Sequence, residues 1–168
     1  MKTGTKSLLF GAHQFLIHPI LVCRAWRALY GSLDFKTFLC IMVHDWGYWG
    51  CSDMDGQEGS LHPFKGGKLV RRLGLGQEYV DLCLYHSRDF AEMLGHQPSK
   101  LCWADKYSFC LEKPWLYILR TRLTGELPEY RAKAAINHFI PKDASNKEWF
   151  QQLSAYLKRV SLERAAEY

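Results

Sequence analysis

Apolar residues in this chain recur at three- and four-residue spacings rather than in alternation, which predicts helices from end to end. Pro19 to Tyr30 reads as a helix, with a proline at its permitted first position and Gly31 closing it. Asp34 is placed to cap the next, Phe35 to His44. Apart from Lys36 and Thr37 that segment is apolar on every side, the pattern of a helix in the middle of a bundle. Residues 47–61, with Gly47, Gly50, Gly56 and Gly59, read as a loop. Pro63 opens a helix that ends near Gly74, and another runs from about Gln77 to Ser87. Further helices start at Pro98, Pro114 and Pro128. Ser145 caps a long amphipathic terminal helix with Trp149, Phe150, Leu153, Tyr156, Leu157 and Val160 on one side. No stretch alternates well enough to suggest a sheet. The expected fold is all-α: one helical bundle over residues 1–168.

Composition narrows the picture modestly. At 168 residues the chain is the length of one domain, long enough to bury a core without staples. The formal charge of +5, from 22 basic against 17 acidic residues, is a small excess without a long basic run. It suits an anionic small molecule, and stable nucleic-acid binding is not expected. Six cysteines form no Cys-x-x-Cys pair, so the expectation is a reduced, cytoplasmic protein rather than a disulfide or zinc-ribbon framework. No apolar run approaches a membrane span, and the N-terminal apolar patch breaks at His13 without a cleavage signal. A homo-oligomer is left open.

The informative feature is where the apolar pattern breaks. "CIMVHDWGYWG" ends an apolar helix in His44 and Asp45. A buried carboxylate needs a cation or strong donors, and a helix C-terminus favours a cation. The same anomaly recurs: His18 before Pro19, His62 before Pro63, His86 on a stripe with Tyr79 and Cys83, and Asp105 between Leu101 and Phe109. Any one of these histidines alone reads better as a hydrogen-bonded core residue. As an ordered set, imidazoles and carboxylates on buried faces are the ligands of a divalent ion such as manganese, iron, cobalt, nickel or zinc. His13 is an alternative to His18 as the first of them, while His96 and His138 read as surface residues.

This ordered set resembles the HD superfamily of metal-dependent phosphohydrolases. The carrying residues are His18 in "FLIHPILV", His44-Asp45 in "MVHDWGYWG" and Asp105 in "LCWADKYS", in family order. "LHPFKGGKLV" and "LYHSRDF" resemble two further histidine motifs of members with a second metal. The resemblance covers roughly residues 13–125, leaving the helices of about 126–168 outside it. It implies an all-α bundle with a metal site between the central helices, and His18, His44, Asp45 and Asp105 on a primary ion. It implies His62 and His86 on a second, with Asp45 bridging. Members with the fullest set often carry a His-His pair where this chain has His86-Ser87, a position water could fill.

Hydrolysis of a phosphate ester, most plausibly of a nucleotide, is the chemistry such a site suggests. Candidate catalytic groups are Asp45, Glu58, Lys65 and Arg88. Lys65 and Arg88 are phosphate-binding candidates close to presumed ligands, with Lys68 and Arg72 on the same helical arc as Lys65. In "SDMDGQEG", Asp53, Asp55 or Glu58 would serve as an acid or orient water, and Glu58 lies closest to His62. Trp46, Tyr48 and Trp49 suit either stacking of a base or core packing. Two other readings remain: a di-iron oxygenase of the same superfamily, and a non-catalytic module that binds a nucleotide or partner.

Overall fold

The structure, a computed structural model, describes residues 1–54 and 56–168; Asp55, one of the proposed acids, lies outside the described residues. Its helices are α1 (Thr3–Phe10), α2 (Ile17–Tyr30), α3 (Phe35–Val43), α4 (Gln57–Ser60), α5 (His62–Arg72), α6 (Gln77–Leu84), α7 (Arg88–Met93), α8 (Lys100–Phe109), α9 (Pro114–Thr124), α10 (Leu127–Asn137) and α11 (Asn146–Ala165). A 3₁₀ turn, His44–Tyr48, follows α3. No strand occurs among the described residues, and the all-α single domain expected from the periodicity is what is found.

Local chemistry explains most boundaries. Asp34 caps α3, accepting from the amides of Lys36 and Thr37. Ser145 and Glu148 form a reciprocal capping box on α11. Gly31 ends α2 at φ 81°, a conformation costly for any residue with a Cβ. Several expectations need correction. Helix α6 stops at Leu84 because Ser87 is already the cap of α7, accepting from the Phe90 amide. Helix α8 starts at Lys100 rather than Pro98, since the Ser99 amide donates to the Tyr85 carbonyl and its hydroxyl to that of Leu82. The stretch read as loop, residues 47–61, contains the end of the 3₁₀ turn and α4, and that turn takes His44 from the helix read before it.

Helix α3 is not central. Phe35 is 72% exposed and Phe38 38%, their rings stacked together on the outside, while only Thr37, Cys40 and Ile41 are buried. Helices α2 and α8 instead pack closely along the middle, burying Val22, Ala25, Ile41, Leu101 and Ala104 completely. Helices α5 and α6 close one side of them, and α11 covers α8 on another. A second apolar cluster joins α9, α10 and α11 around Tyr117, Trp149 and Phe150. At the N-terminus the carboxylate of Glu126, 3% exposed, accepts from the Ser7, Thr124 and Tyr130 hydroxyls and the Ala12 amide. That set of donors satisfies a buried charge and ties α1 to α9 and α10. No helix is long and apolar enough to cross a membrane, and all six cysteines are free.

Candidate metal centre

Five elements deliver the six singled-out polar residues to one place. His18 comes from the first turn of α2, His44 and Asp45 from the 3₁₀ turn, His62 from the start of α5, His86 from the turn after α6, and Asp105 from α8. The five other than Asp105, which faces a cleft, are each less than 9% exposed. His18 Nε2 lies 3.2 Å from Asp45 Oδ2 and 3.1 Å from Asp105 Oδ1. His44 Nε2 lies 3.2 Å from Asp45 Oδ2 and 3.3 Å from His18 Nε2. On the other side of the carboxylate, Asp45 Oδ1 is 3.5 Å from His86 Nε2 and 3.8 Å from His62 Nε2. Asp45 therefore stands between two imidazole pairs.

Backbone carbonyls set the tautomers. Nδ1–H of His44 donates to Ile41 O at 2.7 Å, that of His62 to Gly59 O at 2.7 Å and that of His86 to Cys83 O at 2.5 Å. In each neutral ring the lone pair is then on Nε2, facing inward, the arrangement that orients imidazole ligands in metal sites. His62 Nε2 and His86 Nε2 are 3.0 Å apart. Two lone pairs at that separation repel unless a cation lies between them. Asp45 Oδ2 is buried and accepts no properly directed hydrogen bond, although two imidazole nitrogens are near it. Ligand atoms of His18, His44 and Asp105, and of His44, Asp45 and His86, lie within 4.8 Å of one another. The donor set fits a divalent ion.

The metal-free electrostatics agree. Burial by itself pushes the His18 imidazole down, but its bonds to Asp105 and Asp45 win and raise it to about 9. His44 is likewise raised against its own burial, chiefly by Asp45. Asp45 and Asp105 are held well below the carboxylate range despite burial, Asp45 chiefly by the charge of His44 and Asp105 by its bonds to His18 and His44. His62 goes the other way, down to about 3, through burial and then the neighbouring His86. Protons thus stand in for a cation on the His18 and His44 side of Asp45.

A pH dependence follows, with its sign. A folded pKa of about 9 for His18 against 6.5 unfolded gives the metal-free fold stability that is complete below pH 6.5 and lost as pH rises through 9. Metal binding at pH 7 must displace that proton. Apparent affinity is expected to rise from pH 6.5 to 9, with proton release seen by calorimetry in buffers of different ionisation enthalpy.

Gly47 decides how the halves meet. A Cβ there would collide with the His62 carbonyl, so the 3₁₀ turn can lie directly on the start of α5 only with glycine at that position. Tyr48 then stacks on the His62 ring at 3.9 Å between centroids. Trp46 and Trp49 point outward, 51% and 61% exposed, so neither packs in the core.

Other candidates separate. A cleft of about 190 Å³ opens over the centre, lined by Asp45, His62, His86, Asp105, Arg88 and Lys106 among others. Arg88 is where the sequence reading put it, though it also approaches Asp89 and Glu92. Lys65 and Glu58 line none of the described cavities; Glu58 is exposed and accepts from the Ser52 amide. Lys68 lies over the Phe64 ring. His13 lines the cleft but lies outside both groups of close ligand atoms. Its Nδ1 is 2.9 Å from Ser7 Oγ, whose own proton goes to Glu126, and its ring forms the cleft wall. Lys106 was missed; its only sequence signal is adjacency to Asp105. No family model matches the chain, and neither does any curated protein or solved structure.

Proposed function

We propose that this protein is a metal-dependent phosphohydrolase acting on a small phosphate ester, a nucleotide being the favoured substrate. The observation that carries the reading is the Asp45 carboxylate. Its two oxygens face separate imidazole pairs, and Oδ2 is buried without a directed donor. His18, His44, Asp45 and Asp105 would hold a first ion, and His62 and His86 a second that shares Asp45. The resemblance of these motifs to the HD superfamily supports the same assignment. Manganese, iron, cobalt, nickel and zinc all suit imidazole and carboxylate donors. An ion bound there lowers the pKa of a coordinated water and polarises a phosphoryl oxygen.

The chain's own contribution is to fix and surround that chemistry. The carbonyls of Ile41, Gly59 and Cys83 hold three rings in the ligating tautomer. Arg88 and Lys106 line the cleft and offer positive charge to phosphate oxygens. Tyr48 backs His62 and keeps its ring from turning. Fixed cations aimed at developing charge are the main protein term in phosphoryl transfer.

The direct test is elemental analysis of the purified protein, then a phosphate-release screen over nucleotides and simple phosphate esters with each metal. Metal-replete protein that releases no phosphate would overturn the reading, and an iron chromophore with oxygen uptake would move it to the oxygenase. Arg88→Ala and Lys106→Ala are expected to lower kcat by roughly a hundredfold. Glu58→Ala and Lys65→Ala should leave it unchanged, because neither side chain reaches the cleft. His62→Ala and His86→Ala should keep the first ion and lose the second. Their rate should fall by more than the roughly 10- to 100-fold typical of losing an outer-shell group. Total metal loss in either variant would put that histidine on the first ion.

A further inference from the structure

A second cleft, larger than the one over both imidazole pairs, lies beside it among the described residues. It is a cleft of about 320 Å³ that begins at His18 and Asp105 and runs along α8 towards α10 and α11. One face of α8 and its following turn supplies Asp105, Ser108, Phe109 and Glu112, the i, i+3, i+4, i+7 spacing of a single helical stripe. Asp105 is a metal-site carboxylate and Lys106 lines both clefts, so this end is suited to phosphate. Phe109 and Tyr117, ring centroids 4.9 Å apart, make an aromatic wall beyond it. Glu112, 9% exposed, also lines the cleft, with Oε1 accepting from Arg120 Nη2 at 2.5 Å and Oε2 without a donor among the described residues. Arg120 holds this carboxylate in place, so an acceptor is fixed beside the aromatic wall, in a cleft whose lining also includes Lys133 and His138.

Spacing adds the decisive constraint. Asp105 lies in α8 and Glu112 three residues past its last residue, Phe109, a separation on the order of 10 Å at helical rise. That is on the order of the distance from a phosphate to the far edge of a planar ring joined to it through a sugar-sized spacer. The opposite wall, Ala134, Leu153 and Leu157, comes from α10 and α11, helices outside the stretch that carries the family resemblance.

We propose that this cleft is the subsite for the organic half of the phosphate ester. Its ligand is a planar aromatic ring bearing an N–H donor, seated against Phe109 and Tyr117 and hydrogen-bonded to Glu112. The phosphate end rests on the phosphohydrolase reading; the ring subsite does not need turnover. Charge complementarity sets the selectivity. A ring with an amino group satisfies the carboxylate, whereas a ring with only acceptors leaves Glu112 Oε2 desolvated and facing lone pairs, a strongly unfavourable arrangement.

The test uses unphosphorylated nucleosides on the full-length, metal-loaded protein, with binding followed by calorimetry and ligand-observed NMR. Adenosine carries an exocyclic amine and purine riboside is the same ring without one. Adenosine is expected to bind at least about tenfold more tightly. In Glu112→Gln the amide oxygen stays with Arg120 and its NH₂ turns to the cleft, so the preference should vanish or reverse. Leu157→Trp, at a half-buried wall position, should weaken both nucleosides while metal content and melting temperature stay near wild type. Equal affinity for the two nucleosides, no binding of either, or unaltered binding in Leu157→Trp would each overturn the proposal. Should Glu112→Gln fail to fold because Arg120 loses its charged partner, the nucleoside comparison in the wild type and the Leu157→Trp variant still decide it. Nucleoside binding with this selectivity but no phosphate release would sink the hydrolase and leave the subsite standing.

Discussion

Asp45→Asn is expected to abolish phosphate release and to empty both halves of the metal centre together. The substitution preserves volume but replaces two anionic oxygens with one neutral acceptor and a donor. Oδ2 is shared by His18 and His44, and Oδ1 faces His62 and His86, so this one carboxylate serves both sides. A loss on the order of a thousandfold or more is expected, as for groups that act as a unit. Elemental analysis should show little metal. Full activity at wild-type metal content would remove Asp45 from the centre. Stability should fall as well, but by less than breaking a fixed buried ion pair would cost. His18 and His44 can shed their protons once the carboxylate is gone, so roughly 2 kcal/mol is expected rather than the 3–5 of a stranded charge. For a chain of this size that is about 4–8 °C in Tm. The loss should be larger at pH 6 than at pH 9, since the paired His18 proton, held up to about 9, is part of what Asp45 stabilises.

Gly47→Ala should be nearly as damaging, through the backbone. The added Cβ has no space: the His62 carbonyl and Cα occupy its position, and backbone atoms at a helix start cannot swing aside as a flexible side chain would. Either the 3₁₀ turn lifts away from α5 or α5 shifts along α6. Overpacking of this kind costs about 1–3 kcal/mol, and more where neither side yields. Both movements lengthen the Asp45 to His62 distance, now 3.8 Å. Binding of the second ion and kcat should therefore collapse while the first ion, on His18, His44 and Asp105, is retained at reduced affinity. Metal stoichiometry by elemental analysis, alongside a thermal melt, separates this outcome from simple unfolding. Wild-type stoichiometry and rate would show that the turn and α5 can part without cost.

The contrast between these two residues shows what each level of description determined. Asp45 was legible because an ionisable pair ending an apolar run breaks a pattern, and a broken pattern is a local property of sequence. The same holds for His18, His44, His62, His86 and Asp105, and the structure brings all of them together. The helical class and the caps at Asp34 and Ser145 were readable for the same reason, since periodicity and capping act over a few residues. Gly47 read only as a loop breaker, because its role depends on a carbonyl fifteen residues away in another element. Lys65 and Glu58 were favoured for nearness in sequence to His62, yet α5 and its approach carry them out to solvent. Lys106 and Glu112 gained their places from the cleft that α8 and its following turn form with α10 and α11. Even α3, apolar on every side apart from Lys36 and Thr37, sits at the surface with Phe35 and Phe38 exposed. Sequence determined which side chains needed a cation, since local burial and charge demand it. Which cations and which walls surround the candidate centre was decided by helix packing, where neighbours in space are set by how faces fit rather than by order along the chain.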